Sequence, residues 1–242
     1  MFNDKSYIEV NREERFLCAL FAHALLSSEA IRKNFVALVH SKFDVVLNPA
    51  SLQVFLEAAA LRDYWNDLGD PIAYTDKTHA KRKGVLLSIL KEVGIPESAI
   101  DDYDFFRTSD EKLWSPGRWN TGAIKNSGLN ELIKVKWAFN AKPDILIVSG
   151  SSVLMIEGKL ESGEGHNEES GYQQLKTQEL ITCLLKLLVP QFKNSTFYNT
   201  LLALHPKSGI SWKEVLTIVG SDELDAFSQK CFAQLQRFYL RT

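Results

Sequence analysis

The stretch KPDILIVSGSSVLMIEGKLESG, residues 142–163, sets two apolar, β-prone runs on either side of Ser149-Gly150-Ser151-Ser152. That pattern predicts a β-hairpin. With Gly150-Ser151 at the tip, Val148 faces Val153 and Asp144 falls directly opposite Glu157. Side chains two apart share a sheet face, so Lys159 projects on the same side as Glu157. Three charges therefore gather at one end of an otherwise apolar hairpin. Opposed carboxylates with Cβ atoms about 4.5–5.5 Å apart repel each other unless a proton or a cation lies between them. Magnesium is suited to that role, because it takes one or two carboxylates and completes its shell with water and phosphate oxygens. A neighbouring ammonium can orient an attacking water or stabilise charge on a phosphorane.

The rest of the chain divides by pattern. NREERFLCALFAHALL predicts a buried first helix, with Asn11 as N-cap and Glu14 three positions on as its capping-box partner. A second helix is expected over 28–43. Asn48-Pro49 is expected to open a third through SLQVFLEAAALRDYWNDL, and two more are expected from TDKTHAKRKGVLLSILKEVG and PESAIDDYDFFRT, so that 28–107 is expected to be all-helical. SDEKLWSPGRWNTG, residues 109–122, is turn-rich. Beyond it KVKWAFN is expected as a short strand, SGEGHNEESG as a polar loop, YQQLKTQELITCLLKLL as an amphipathic helix, STFYNTLLAL as a strand and SDELDAFSQKCFAQLQRFYL as a terminal helix. The expected class is α/β, a small mixed sheet flanked by helices with an N-terminal helical insertion. The expected divisions are 1–27 as first core helix, 28–122 as helical insertion and loop, and 123–242 as core.

Pro143-Asp144 followed across a short hairpin by Glu157-Gly158-Lys159, between apolar strands, resembles the PD-(D/E)XK nuclease superfamily, over about residues 142–188. The resemblance implies a restriction-endonuclease-like core and metal-dependent phosphodiester hydrolysis with Mg2+ or Mn2+. It assigns the metal to Asp144, Glu157 and the backbone carbonyl of Gly158, and assistance of the water to Lys159. It further implies an acid from the first core helix. At about 100° per residue Glu13 falls within the apolar face and Glu14 at its border, so Glu13 is the expected catalytic and metal-binding acid, with Glu131 as runner-up. Relatives often carry a glutamine on the next helix. Here Gln173 and Gln174 stand in that place, Gln173 preferred, and the tyrosine that often follows is replaced by Gln178. The match implies a DNA endonuclease of restriction or anti-phage defence. RNA cleavage, or a non-catalytic protein-interaction module keeping the fold, is the alternative.

Composition limits the partners. A formal charge of −2 and a pI near 6.2 advertise no basic surface, so nucleic acid must be met by local patches. Lys81, Arg82 and Lys83 with Lys77 in KTHAKRKG, and Arg118 between Trp114 and Trp119 in WSPGRWN, are the expected contacts. Lys134, Lys136 and Lys142 are weaker candidates for the scissile phosphate, and His166 is expected to be merely solvated. Residues 28–107 are the expected surface for a protein partner, and a homodimer suits double-strand cleavage. Cys18, Cys183 and Cys231 lie far apart in apolar segments, as reduced core thiols do. No G-x-S-x-G elbow supports a covalent mechanism. No leader pattern or long apolar run is present, so a cytoplasmic protein without membrane contact is expected.

Overall fold

A computed structural model describes residues 14–70, 72–160, 166–167, 172–220 and 224–239. The chain forms two compact units, one from the segments 1–58, 143–164 and 196–242, the other from 59–142 and 165–195.

The first unit is built on a five-stranded mixed sheet. Helices α1 (Glu14–Ser27) and α2 (Glu29–Phe43) precede strand β1 (Gln53–Leu56). Between them and the first sheet edge, Asn48 caps a single 3-10 turn at Pro49–Ser51 through Ala50 N–H. In the second unit lie α3 (Ala60–Asp67), α4 (Asp76–Glu92), the single turn α5 (Ala99–Asp102), α6 (Thr121–Asn126) and α7 (Glu131–Asn140). The chain then returns to the sheet with β2 (Ile145–Ser149) and β3 (Ser152–Gly158). A two-residue ladder, β4 (His166–Asn167) with β5 (Tyr172–Gln173), and helix α8 (Gln174–Leu188) belong to the second unit. Strands β6 (Thr196–Ala203) and β7 (Ile210–Ser211) and helices α9 (Trp212–Val219) and α10 (Ala226–Tyr239) complete the first.

Strand order is β1-β2-β3-β6-β7, antiparallel through β3 and parallel beyond it. Central strand β3 is buried on both faces from Val153 to Gly158, which explains why VLMIEG reads as a continuous apolar run rather than an alternating one. On one face Ile145, Ile147, Leu154 and Ile156 meet the apolar stripe of α1 and α2, in which the Phe21 and Phe35 rings stand edge to face at 5.4 Å. Trp212, Val215 and Val219 of α9 close the same core. Helix α9 is started by a complete capping box between Ser211 and Glu214.

Two expectations are corrected. Residues 28–107 are not all-helical: QVFL pairs as β1 with Val148–Ile145, and Glu57, at φ 46°, turns the chain out of it. The β-branched and aromatic residues there complete the open edge of β2, whereas the proposed cap at Asn48 starts only one turn. KVKWAFN lies in helix α7, with Leu132, Ile133, Val135, Ala138 and Phe139 buried at helical spacing. By contacts, the chain groups from segments separated in sequence. Ile31, Phe35 and Val39 tie α2 to the sheet unit, while α8 packs with α3, α4 and α7 in the other.

Candidate active site

The hairpin forms in the register read from its sequence. Ser149 pairs with Ser152, Val148 with Val153 and Ile145 with Ile156, and Gly150 takes the positive φ of 59° that the turn demands. Asp144 stands one step before the ladder begins. Its Oδ2 accepts a hydrogen bond of 2.7 Å from Gly158 N–H, which carries the pairing past Glu157. Glu157, only 7% exposed, lies on β3 one residue past the end of its pairing with β2, and its carboxyl lies beside that of Asp144. Lys159 Nζ sits 3.2 Å from Glu157 Oε1 and 3.7 Å from Glu14 Oε2.

The backbone fixes that ammonium. Lys159 N–H donates to Leu202 carbonyl at 2.7 Å, and its own carbonyl accepts from Trp212 Nε1 at 3.2 Å. Glu14 uses its other oxygen, Oε1, to accept from Leu160 N–H at 2.9 Å, so α1 is tied by its first described residue to the chain leaving β3. Among the described residues of α1, Glu14 is the acid that reaches this end of the hairpin. Glu13, the expected acid, lies outside the described residues, as does the capping residue Asn11. Wheel arithmetic placed Glu14 at the border of the apolar face, and a border position is where a charged side chain can reach past the end of a strand.

Burial and mutual charge make this end electrostatically costly. Desolvation, and then the neighbouring Asp144 carboxylate, push Glu157 up to about 7, with Lys159 opposing both. Asp144 is also raised, first by burial and further by Glu14 and Glu57, against the lowering effect of the Gly158 N–H bond and Lys159. Glu57 is a neighbour that sequence reasoning missed. Its N–H donates to Asp144 carbonyl at 3.2 Å and its carboxylate pairs with Arg15 at 2.9 Å. Assigning QVFLE to a helix hid it. Its signal was the β-prone Val-Phe-Leu run after Asn-Pro.

Gly158 has a steric reason to be glycine. A Cβ there would run into Cys18 Sγ and come to 3.4 Å from Asp144 Oδ2. The Cys18 thiol is held firmly protonated, mainly by burial and further by the charges of Asp144, Glu157 and Glu14. It packs against the site and offers no thiolate nucleophile.

The donor set fits a hard divalent cation. Two convergent carboxyls raised above their ordinary range describe a place where charge is under-compensated, which a cation would relieve. Among the described residues no three His, Cys, Asp or Glu side chains form a metal-holding group.

The remaining candidates distribute differently. Glu131 is paired at 2.7 Å with Lys134 on α7 of the other unit. Gln173 and His166 lie in the β4–β5 ladder of that unit, and their side chains, like that of Gln174, lie outside the described residues. Of the proposed nucleic-acid contacts, Lys81 and Arg118 are exposed, while Lys83 is half-buried beside Asp101 at 3.6 Å. Arg82 and Trp119 are 5% and 1% exposed and lie in the interior of the second unit rather than on its surface. Arg82 is drawn in by the aromatic rings it stacks on, and Trp119 packs edge-on against Phe106 at 5.0 Å. Lys136 donates to Thr121 Oγ1 at 2.7 Å. No described helix is long and apolar enough to cross a membrane.

No family model, no curated protein and no solved structure matches this chain. The functional reading therefore rests on the residues and their geometry.

Proposed function

We propose that this chain is a metal-dependent nuclease that hydrolyses phosphodiester bonds in DNA, its sheet unit a restriction-endonuclease-like core. One observation carries the reading: the half-buried carboxyl of Asp144 and the buried carboxyl of Glu157 meet at the end of the hairpin, with Lys159 Nζ 3.2 Å from Glu157. Asp144, Glu157 and the Gly158 carbonyl would hold Mg2+ or Mn2+. When bound, the cation supplies Lewis-acid charge against a phosphate and makes water easier to deprotonate.

The chain's own groups do the rest. Lys159, anchored by Leu202 and Trp212, presents a donor where an attacking water or a non-bridging phosphate oxygen would sit. Glu14 positions that ammonium from the side of α1. Burial of the pair strengthens each of these interactions relative to water. A place in restriction or anti-phage defence goes with this reading.

The test is incubation of the purified chain with supercoiled plasmid, linear duplex, single-stranded DNA and RNA, each with magnesium, manganese or chelator. The expected result is metal-dependent DNA cleavage, abolished by chelator and reduced about 100-fold or more in folded Asp144→Ala and Lys159→Ala. Cleavage of RNA alone would transfer the chemistry to the other backbone. Intact substrates throughout would contradict the enzyme and favour a binding module.

A further inference from the structure

The second unit contains a cavity of about 460 Å³, within the range of roughly 300–1,000 Å³ usual for small-molecule sites. Its described wall carries four cations, Arg62, Arg82, Lys112 and Arg118, and no Asp or Glu. Trp65, Tyr74 and Trp114 supply aromatic surface beside them. A wall of one sign with no internal counter-charge focuses potential on an anion.

Arg82 is built into this wall. Only 5% exposed, it places its guanidinium carbon 5.2 Å from the Trp65 ring centroid and 5.3 Å from that of Tyr74. One terminal nitrogen donates to Gly69 carbonyl at 3.0 Å. Its Nε is buried with no acceptor among the described residues. Leaving a buried donor unpaired is unfavourable, more so when it is charged, and an anionic ligand removes the penalty. Arg118 repeats the arrangement nearer the surface, its guanidinium 5.5 Å from the Trp114 ring centroid.

Polar groups with fixed orientation complete the wall. Asn140 Nδ2 donates to Gly117 carbonyl at 2.9 Å, which holds the amide in place, and a Cβ on Gly117 would come to 2.7 Å from Asn140 Oδ1. Charge-assisted donors select phosphate, stacked indole and phenol rings select a planar π-system, and a fixed amide can read a base edge. An acidic peptide would satisfy the first of these alone.

We infer that this cavity binds a phosphorylated nucleotide, its phosphate held by Arg82 and Arg118 and its base set against the aromatic wall. The ligand is either a free mononucleotide or the phosphorylated end of a strand. The site is separate in its residues from the hairpin acids and does not depend on how those are read.

The experiment uses the full chain in chelator, which keeps strands intact, with tryptophan fluorescence and calorimetry as readouts. The probes are AMP, adenosine, inorganic phosphate, an oligodeoxythymidylate with and without 5′-phosphate, and a glutamate-rich peptide. AMP or the 5′-phosphorylated strand is expected to bind at least about tenfold more tightly than adenosine, inorganic phosphate or the unphosphorylated strand. Arg118→Ala and Lys112→Ala, whose side chains do not fill the core, are expected to weaken binding about tenfold each, whereas Arg82→Gln is expected to abolish it. Asp144→Ala is expected to bind as wild type does, which separates this site from the nuclease reading. Preference for AMP over the phosphorylated strand identifies the free nucleotide, and the reverse identifies a strand end. Absence of nucleotide binding by wild type, equal affinity for AMP and adenosine, indifference to Arg118→Ala and Lys112→Ala combined, or tighter binding of the peptide would overturn the inference.

Discussion

Glu157 shows how a single buried residue can carry an electrostatic cost. Its carboxyl ordinarily titrates near 4.5, but burial and Asp144 raise it to about 7 in the folded chain. Between those values the folded protein keeps a proton that the unfolded chain has released. Stability attributable to this group therefore falls as pH rises from about 4.5 to about 7 and is level above that. In chelator, the melting temperature of wild type should drop more between pH 5 and pH 7.5 than that of Glu157→Gln, and added magnesium should restore part of the difference at pH 7.5. Identical pH profiles for the two proteins would show that the carboxyl is not strained. Gly158 gives a second test at this scale. Gly158→Ala should lose about 1–3 kcal/mol in denaturant melts from overpacking against Cys18, and Cys18→Ala in the same chain should recover much of it. These residues were legible in sequence because hairpin pairing is arithmetic: once the tip is set, Asp144, Glu157 and Lys159 follow. Glu14 and Glu57 were not, since each depends on where an element ends. One sits at the border of its helix face and the other follows a strand hidden in a presumed helix.

At the scale of elements, local signals succeeded where they agreed with packing. Helix α2, strand β6 and the hairpin form close to where their patterns put them, and α9 starts at its capping box. Removing that box should be felt: Ser211→Ala should lower stability by about 1 kcal/mol in thermal or denaturant melts, with no change in a cleavage assay per folded molecule. Failures arose where tertiary pairing overrode propensity. QVFL, at the edge of a long helical pattern, became β1 because β2 needed a partner, and KVKWAFN became helix because its apolar residues fit the α7 face. An edge strand with Phe55 and Leu56 each 45% exposed is poorly marked in sequence, since its side chains are only partly committed to a core.

At the scale of the whole molecule, the chain separates two kinds of chemistry between its units. The sheet unit gathers buried acids and one lysine at the hairpin's end, while the helical unit gathers cations and aromatic rings around a cavity. In a chain of formal charge −2, these cations are concentrated in one wall. Neither unit is continuous in sequence, so a linear reading does not trace their division. The central claim is that the hairpin acids form a divalent-cation site. Its most direct measurement is Mn2+ binding to the folded chain at pH 7.5 by electron paramagnetic resonance. One site is expected in wild type, lost in Asp144→Ala and in Glu157→Gln and retained in Glu131→Ala. No bound Mn2+ in wild type, or binding that survives Asp144→Ala, would contradict it and leave the three charges as a buried ion-pair network.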